Sequence, residues 1–143
     1  MSIFKSNIVE AIFRVFVKNH IDFPLHHHEE FELNFIEGAI GAKRIVGDNI
    51  EIIQNMELVL VGSNVPHGWF TNECRSSEIH EITIQFHRDL FDEKFLRRNQ
   101  LSFIRTMLER SARGIAFSPE TISSIKPRLI ALIQKSGFDS VLE

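Results

Sequence analysis

Four side chains in the first half of the sequence could bind a metal ion or a small polar molecule. They are three imidazoles and one carboxylate, namely His26, His28, Glu32 and His67. On a strand, the first three have the same parity and therefore point to one face. The fourth follows a turn at residues 62–66 that is rich in Gly and Asn and delivers His67 and Trp69 to the next strand. We therefore expect the two segments to meet inside a barrel.

This set of side chains allows three interpretations. Three imidazoles and a carboxylate suit divalent Fe, Mn, Ni or Zn, which would make the chain a free-standing metal-dependent enzyme such as a dioxygenase or isomerase. Alternatively, the set lines a pocket in which Trp69 stacks on a sugar-like ligand while His28, Glu32 and His67 bond its hydroxyls. A third interpretation is a group of interior polar side chains that satisfy one another. We favour the pocket, with no metal or cofactor, and add His80, which we expect to point into the same barrel.

Short strands must position these groups. Apolar and polar residues alternate at residues 11–17, 31–36, 42–46, 49–53, 57–61 and 78–86. The segments at 38–41 and 47–49 supply the glycines that tight hairpins need. Short strands at this regular spacing are typical of a barrel or a sandwich.

The period of the apolar residues changes after the last of these strands. Apolar residues recur at helical intervals through residues 90–110, which predicts a first helix. A second helix is predicted at residues 119–135, because a serine, a proline and a glutamate mark its start. Pro127 lies inside it and predicts a kink or a break. Asp139 resembles the N-cap of another helix, but only about one turn of chain follows it, which is too short to be stable alone.

Composition narrows the class of protein. The chain has 143 residues and a net charge of −3, whereas a domain that grips nucleic acid usually carries a basic stripe. We do not expect it to bind DNA unaided. Its single cysteine, Cys74, excludes an internal disulfide, and no apolar run is long enough for secretion or for spanning a membrane. These features favour a cytoplasmic protein with no membrane partner.

The motifs resemble those of the cupin superfamily, whose first motif carries His-x-His followed by Glu and whose second carries one His after a Pro/Gly turn. The match is closer to the sensor domains of the arabinose-regulator (AraC) family of transcription regulators. The matching segments are residues 23–26, 28–33, 58–69, 84–86, 89–91 and 109–118. Gly62 and Asn64 stand where the metal-binding cupin pattern has Pro and Gly, and His20 stands where its first motif has Gly. The resemblance therefore supports the fold more than it supports a metal site.

The resemblance implies a fold that is mostly β with C-terminal α. We expect a cupin-type jelly-roll barrel (a double-stranded β-helix) with an N-terminal arm at residues 1–88, and two or three helices at residues 89–143. It also implies the ligand-sensing and dimerisation domain of a regulator, not an enzyme. A small-molecule effector in the barrel would control DNA binding by a helix-turn-helix domain expected beyond residue 143.

Two further expectations concern how such a domain would assemble. Members of this family commonly pair through the helices after the barrel, so the chain is expected to form a homodimer. The apolar face of residues 119–135 could form the dimer seam or pack on the chain's own barrel. The resemblance also suggests that residues 1–10 act as an arm near the mouth of the ligand site.

Overall fold

The computed structural model describes residues 13–21, 24–88, 102–135 and 141–142. The strands are β1 (Phe13–Lys18), β2 (Phe31–Glu37), β3 (Lys43–Val46), β4 (Asn49–Ile52), β5 (Met56–Val61), β6 (His67–Phe70), β7 (His80–Phe86), β8 (Ile115–Ala116) and β9 (Val141–Leu142). The helices are α1 (Ser102–Arg110) and α2 (Pro119–Lys135), with a 3-10 turn at Ser111–Arg113. The predicted class, mostly β followed by helices, is confirmed.

The strands form two sheets. The larger sheet has the order β8-β5-β2-β7-β1-β9, and the smaller has the order β4-β3-β6. All pairings within the described residues are antiparallel except that of β1 with β9. In the larger sheet, Glu32 lies opposite Gln85 and Asn34 lies opposite Thr83. Because opposite residues share a face, these four side chains lie on one side of β2 and β7.

An inner core fills the space between the two sheets. Its buried members come from both sheets and include Ile36, Val46, Val59, Val61 and Trp69. The alternation of each strand sends these side chains inward, as the sequence predicts. The ordering of the two sheets around one core is what brings the histidine-rich segment close to β6.

An outer core lies between the larger sheet and α2. Val15, Phe35, Leu58, Ile82 and Ile84 of the sheet pack there with Ile122 and Leu129 of α2. Within the described residues, the apolar face of α2 therefore packs on the chain's own barrel. Burying one such side chain contributes about 1.5–3 kcal/mol, so the contact fixes the helix on the barrel.

A close backbone approach attaches the C-terminal segment to the turn that precedes β6. The backbone N of Gly62 donates to the carbonyl oxygen of Ser111 at 2.9 Å. A Cβ at position 62 would lie 2.6 Å from that oxygen, so only glycine fits. The turn that delivers His67 is thus held by the segment between the two helices.

The C-terminal segment differs from the expectations at two points. Helix α2 continues through Pro127 without a break. The proline is exposed, as is Ser123, whose carbonyl loses its partner there and can be satisfied by water instead. The short helical turn suggested by Asp139 is replaced by β9, which pairs with β1 and so satisfies its backbone groups in a ladder.

Some predictions lie outside the described residues. These include the arm at residues 1–10 and the first part of the helix predicted at residues 90–110, of which α1 forms the described portion. Neither α1 nor α2 is long and apolar enough to cross a membrane.

Candidate functional site

The segment that carries the first two histidines runs beside β6. The backbone N of His26 donates to the carbonyl oxygen of His67 at 3.1 Å, and the N of His67 donates back to His26 at 2.9 Å. In the turn that precedes β6, the backbone N of Asn64 donates to the carbonyl oxygen of His28 at 2.7 Å. Asn64 has a φ of +60°, a left-handed conformation that asparagine tolerates better than most residues. These backbone bonds fix the three imidazoles as neighbours.

Glu32 enters from β2 and completes a cluster with the three imidazoles. One ligand atom from each of His26, His28, Glu32 and His67, here called the His/Glu tetrad, lies within 4.8 Å of every other. Nε2 of His28 is 3.1 Å from Oε1 of Glu32, and Nε2 of His67 is 3.5 Å from the same oxygen. The predicted meeting of the two motifs is thus present in the structure.

Backbone carbonyls determine which ring nitrogen carries the proton. Nδ1 of His26 lies 2.7 Å from the oxygen of Pro24, Nδ1 of His28 lies 3.0 Å from that of Glu30, and Nδ1 of His67 lies 2.7 Å from that of Val65. A carbonyl oxygen only accepts, so each Nδ1 donates. The Nε2 atoms are therefore the nitrogens left to accept a proton or bind an ion.

The electrostatics of the tetrad centre on Glu32. Burial alone would raise the pKa of this carboxyl, but its hydrogen bond with His28 and the adjacent His67 imidazole hold the pKa well below its usual range. The bond with Glu32 raises the pKa of His28, while burial lowers that of His26. With a proton on its Nε2, His28 can donate to Glu32. Without that proton, the His28 nitrogen and the Glu32 carboxylate would both be acceptors.

A cavity of about 420 Å³ opens beside the tetrad, between the two sheets. Its lining residues are Phe16, Lys18, His20, Ile21, His26, Glu32, Asn34, Gly68, Trp69, Glu81, Thr83 and Gln85. Aromatic rings form part of its wall, and side chains of β2 and β7 form a polar floor. A concave site with an apolar wall and a few convergent polar groups is the usual form of a small-molecule site.

Comparisons with known proteins identify the fold. No protein-family model and no curated protein matches the sequence. A 1.65 Å structure of ToxT from Vibrio cholerae has a TM-score of 0.51 and 13% identity over 82% of this chain and 47% of that one. ToxT bound to an unsaturated fatty acid has a TM-score of 0.54 and 12% identity, over 90% of this chain and 48% of ToxT. ToxT bound to (E)-4-(8-methylnaphthalen-1-yl)but-3-enoic acid has a TM-score of 0.51 and 13% identity, over 91% of this chain and 49% of ToxT.

The chain has the fold of part of ToxT. It spans about half the length of the ToxT chains that it matches. The likeness supports the expected fold, so the cupin-type barrel followed by helices is confirmed. At this level of identity the likeness concerns the fold, and function has to be inferred from the site.

Within this ToxT-like barrel, three of the predicted site residues line the cavity. They are His26, Glu32 and Trp69. His28 and His67 are not among the lining residues and instead contact Glu32 from the tetrad. Nε1 of Trp69 donates to Oε2 of Glu57 at 2.6 Å, and Glu57 also pairs with Arg44. This buried arrangement fixes the plane of the indole.

The prediction that His80 points into the ToxT-like barrel is wrong. His80 is exposed and lies opposite Glu37, whose carboxylate pairs with Lys126 of α2 at 2.8 Å. It therefore belongs to the helix-facing side of β7. The cavity takes the other parity of that strand, namely Glu81, Thr83 and Gln85.

Sequence reasoning missed the polar floor of the ToxT-like barrel. Besides Glu32, its residues are Asn34, Glu81, Thr83 and Gln85, and Lys18 and His20 of the cavity lining were missed as well. The parity of Glu32 was the available signal, because Asn34 shares it on β2. The alternation within residues 78–86 offers two faces and does not say which one is inside.

Proposed function

We propose that the chain is the ligand-sensing domain of an AraC-type transcription regulator that acts in the cytoplasm. The cavity carries this proposal, because about 420 Å³ enclosed by an aromatic wall and buried polar groups suits one small molecule. The sequence resemblance and the fold shared with ToxT support the same class of protein.

The ligand that we propose is a small, sugar-like molecule. Trp69 offers a flat apolar face on which a sugar ring can stack, and the floor offers oxygen acceptors for its hydroxyls. The buried carboxylates of Glu32 and Glu81 would repel a ligand carboxylate. This chemistry differs from that of ToxT, which has been seen with an unsaturated fatty acid.

The regulator that we propose is a homodimer and contacts DNA through a helix-turn-helix domain after residue 143. The face of α2 that carries Ile122 and Leu129 packs on the barrel, so the dimer surface has to use other helical residues. Phe103 of α1 and Ile130 of α2 are 61% and 39% exposed and supply apolar area for it. Sedimentation of the chain and of Phe103→Glu tests this, with a monomeric wild-type chain as the contrary result.

A reporter fusion tests the sensor function. The chain is joined to a DNA-binding domain that must dimerise to repress a reporter, and the cells are grown on single sugars. We expect repression to change on at least one sugar for the wild type and not for Trp69→Ala, which loses the stacking face. Glu78→Gln, an exposed acid outside the cavity, is the control. Output that never depends on the sugar would contradict the proposal.

A metal-dependent cupin enzyme is the second candidate, and the geometry of the tetrad favours it. Three Nε2 atoms and a carboxylate fit a divalent transition ion, and the bonds from Nδ1 to backbone carbonyls are the usual outer support of such ligands. His26, His28, Glu32 and His67 would hold the ion. It would supply Lewis-acid chemistry to a molecule in the cavity.

Elemental analysis separates the two candidates. The chain is expressed without a histidine tag, and bound metal is measured in the wild type and in His67→Ala. One ion per chain in the wild type, lost in the variant, would favour the enzyme. A metal-free wild type that still responds in the reporter fusion would leave the sensor function as the remaining candidate.

A further inference from the structure

On the floor of the cavity, the amide group of Asn34 is shared among several oxygens. Nδ2 of Asn34 lies 3.2 Å from Oε2 of Glu32, 3.2 Å from Oε2 of Glu81 and 3.1 Å from Oγ1 of Thr83. An amide group has two N–H bonds, so three oxygens compete for two hydrogens. Gln85 adds one bond to Oε1 of Glu32, at 3.3 Å. The floor can therefore bind further donors.

The other end of the Asn34 amide shows the same shortage. Its Oδ1 is buried and has no hydrogen-bond partner among the described residues. Rotating the amide by 180° would only turn this oxygen toward the two carboxylates, so the observed orientation is the favoured one. A buried carbonyl oxygen normally finds a donor. Asn34 is 2% exposed and lines the cavity, so a donor for this oxygen would have to come from outside the described residues.

The floor holds two buried carboxyl groups, of which Glu81 ionises only near neutral pH because burial raises its pKa to about 7. Glu32 and Glu81 are 4% and 5% exposed, and both line the cavity. Lys18 lies opposite Glu81 in the pairing of β1 with β7, and its Nζ is 5.8 Å from the centre of the Phe16 ring. One lysine thus stands near two carboxylates.

We propose that the ligand carries an ammonium group, which donates to Oδ1 of Asn34 and to the carboxylates of Glu32 and Glu81. An ammonium brings three N–H donors and a positive charge, whereas a hydroxyl brings one donor and no charge. The ring of Trp69 in the cavity wall suits a sugar ring or an aromatic body and adds a cation–π face. The class is a small primary amine, such as an amino sugar or an arylalkylamine. This inference rests on the proposed sensor function.

The fluorescence of Trp69 tests the ligand class, since it is the only tryptophan of the chain and lines the cavity. Two sets of probes each keep the body and change one group. The first set is glucosamine, glucose and glucuronate, and the second is phenylethylamine, phenylethanol and phenylacetate. We expect the amine of at least one set to bind at least about tenfold tighter than its neutral partner, and the acid weakest.

Variants connect the preference to the floor. Glu81→Gln is expected to reduce the preference for the amine to about threefold or less, with little change for the neutral probe. Glu78→Gln, an exposed acid at the entry to the same strand, is expected to keep the full preference. If Glu81→Gln does not fold, calorimetry of the wild type in two buffers replaces it. Phenylethylamine is fully protonated near pH 7, so its binding beside Glu81 should then release protons, and binding of phenylethanol should release none.

The outcomes distinguish this inference from the sensor function. A neutral or acidic probe that binds as tightly as its amine would overturn the ammonium proposal and leave a sensor with another ligand. So would a preference for the amine that survives in Glu81→Gln, or amine binding without proton release. If neither amine changes Trp69 fluorescence, the inference is also wrong, while the reporter fusion still decides whether the chain senses a sugar.

Discussion

Replacing Glu81 with glutamine should make the protein more stable at alkaline pH, although it removes a buried charge. Burial raises the pKa of the Glu81 carboxyl to about 7, against 4.5 for an ordinary glutamate, and Lys18 and Asn34 offset only part of this effect. The folded chain therefore keeps a proton that the unfolded chain has already lost. The contribution of Glu81 is full below the unfolded pKa and is lost as the pH rises through the folded pKa.

The size of this effect follows from the two pKa values. At roughly 1.4 kcal/mol per pH unit, the wild type should lose about 2.5 kcal/mol between pH 5 and pH 8 through Glu81 alone. Glutamine resembles the protonated acid and can still accept a bond from Asn34, so the variant escapes this loss. Glu81 is only 5% exposed, so solvent screening reduces the effect little.

Urea unfolding followed by Trp69 fluorescence measures the difference. At about 1–3 kcal/mol per molar urea, the midpoint of Glu81→Gln should rise relative to the wild type by roughly 1–2 M between pH 5 and pH 8. Glu78→Gln, whose side chain is exposed, should show a constant gap over the same range. A gap for Glu81→Gln that is flat with pH, or that closes as the pH rises, would refute this account of the floor.

Three further predictions concern stability and ions. Leu129 lies in the outer core at 6% exposure, so Leu129→Ala should cost about 2–4 kcal/mol of unfolding free energy. Ile130 is 39% exposed, so Ile130→Ala should cost less than about 1 kcal/mol. Equal costs would mean that α2 does not pack as described. Gly62→Ala should destabilise the chain by about 1–3 kcal/mol, because its Cβ would press on the Ser111 carbonyl, and an unchanged melting temperature would contradict that contact. Titration with Zn²⁺ should raise the melting temperature of the wild type more than that of His67→Ala, and equal shifts would mean that the tetrad does not take the ion.

Most of the barrel could be predicted from the sequence because each strand follows one local rule. The alternation at residues 31–36 and 57–61 and the glycines between strands mark the elements and the turns, and β2 and β5 appear within one residue of those bounds. The C-terminal end could not be predicted in this way. Residues 141–142 pair with β1 far away in the sequence, and a local reading of Asp139 favours a helix cap instead.

The candidate site, too, could be predicted only in part from the sequence. The tetrad was predictable because His26, His28 and Glu32 lie within seven positions and share a parity, and the turn before His67 is distinctive. The floor was not, because which parity of residues 80–86 faces the cavity depends on where α2 docks. On one face of β7, Ile82 and Ile84 pack against that helix. Glu81 and Thr83 lie on the other face and line the cavity.

The same two strands therefore support the cavity on one face and α2 on the other. Along β2, Glu32 and Asn34 line the cavity, whereas Phe35 packs in the outer core and Glu37 pairs with Lys126 of α2. Successive side chains of a strand share one backbone, so a ligand that shifts Asn34 can also shift the surface on which α2 rests. A sensor domain needs such a connection between its ligand and its exposed helices. Lys126→Met removes the positive charge that pairs with Glu37. This variant should show a weaker reporter response in the fusion, with unchanged ligand affinity. A full response in that variant would place the connection elsewhere.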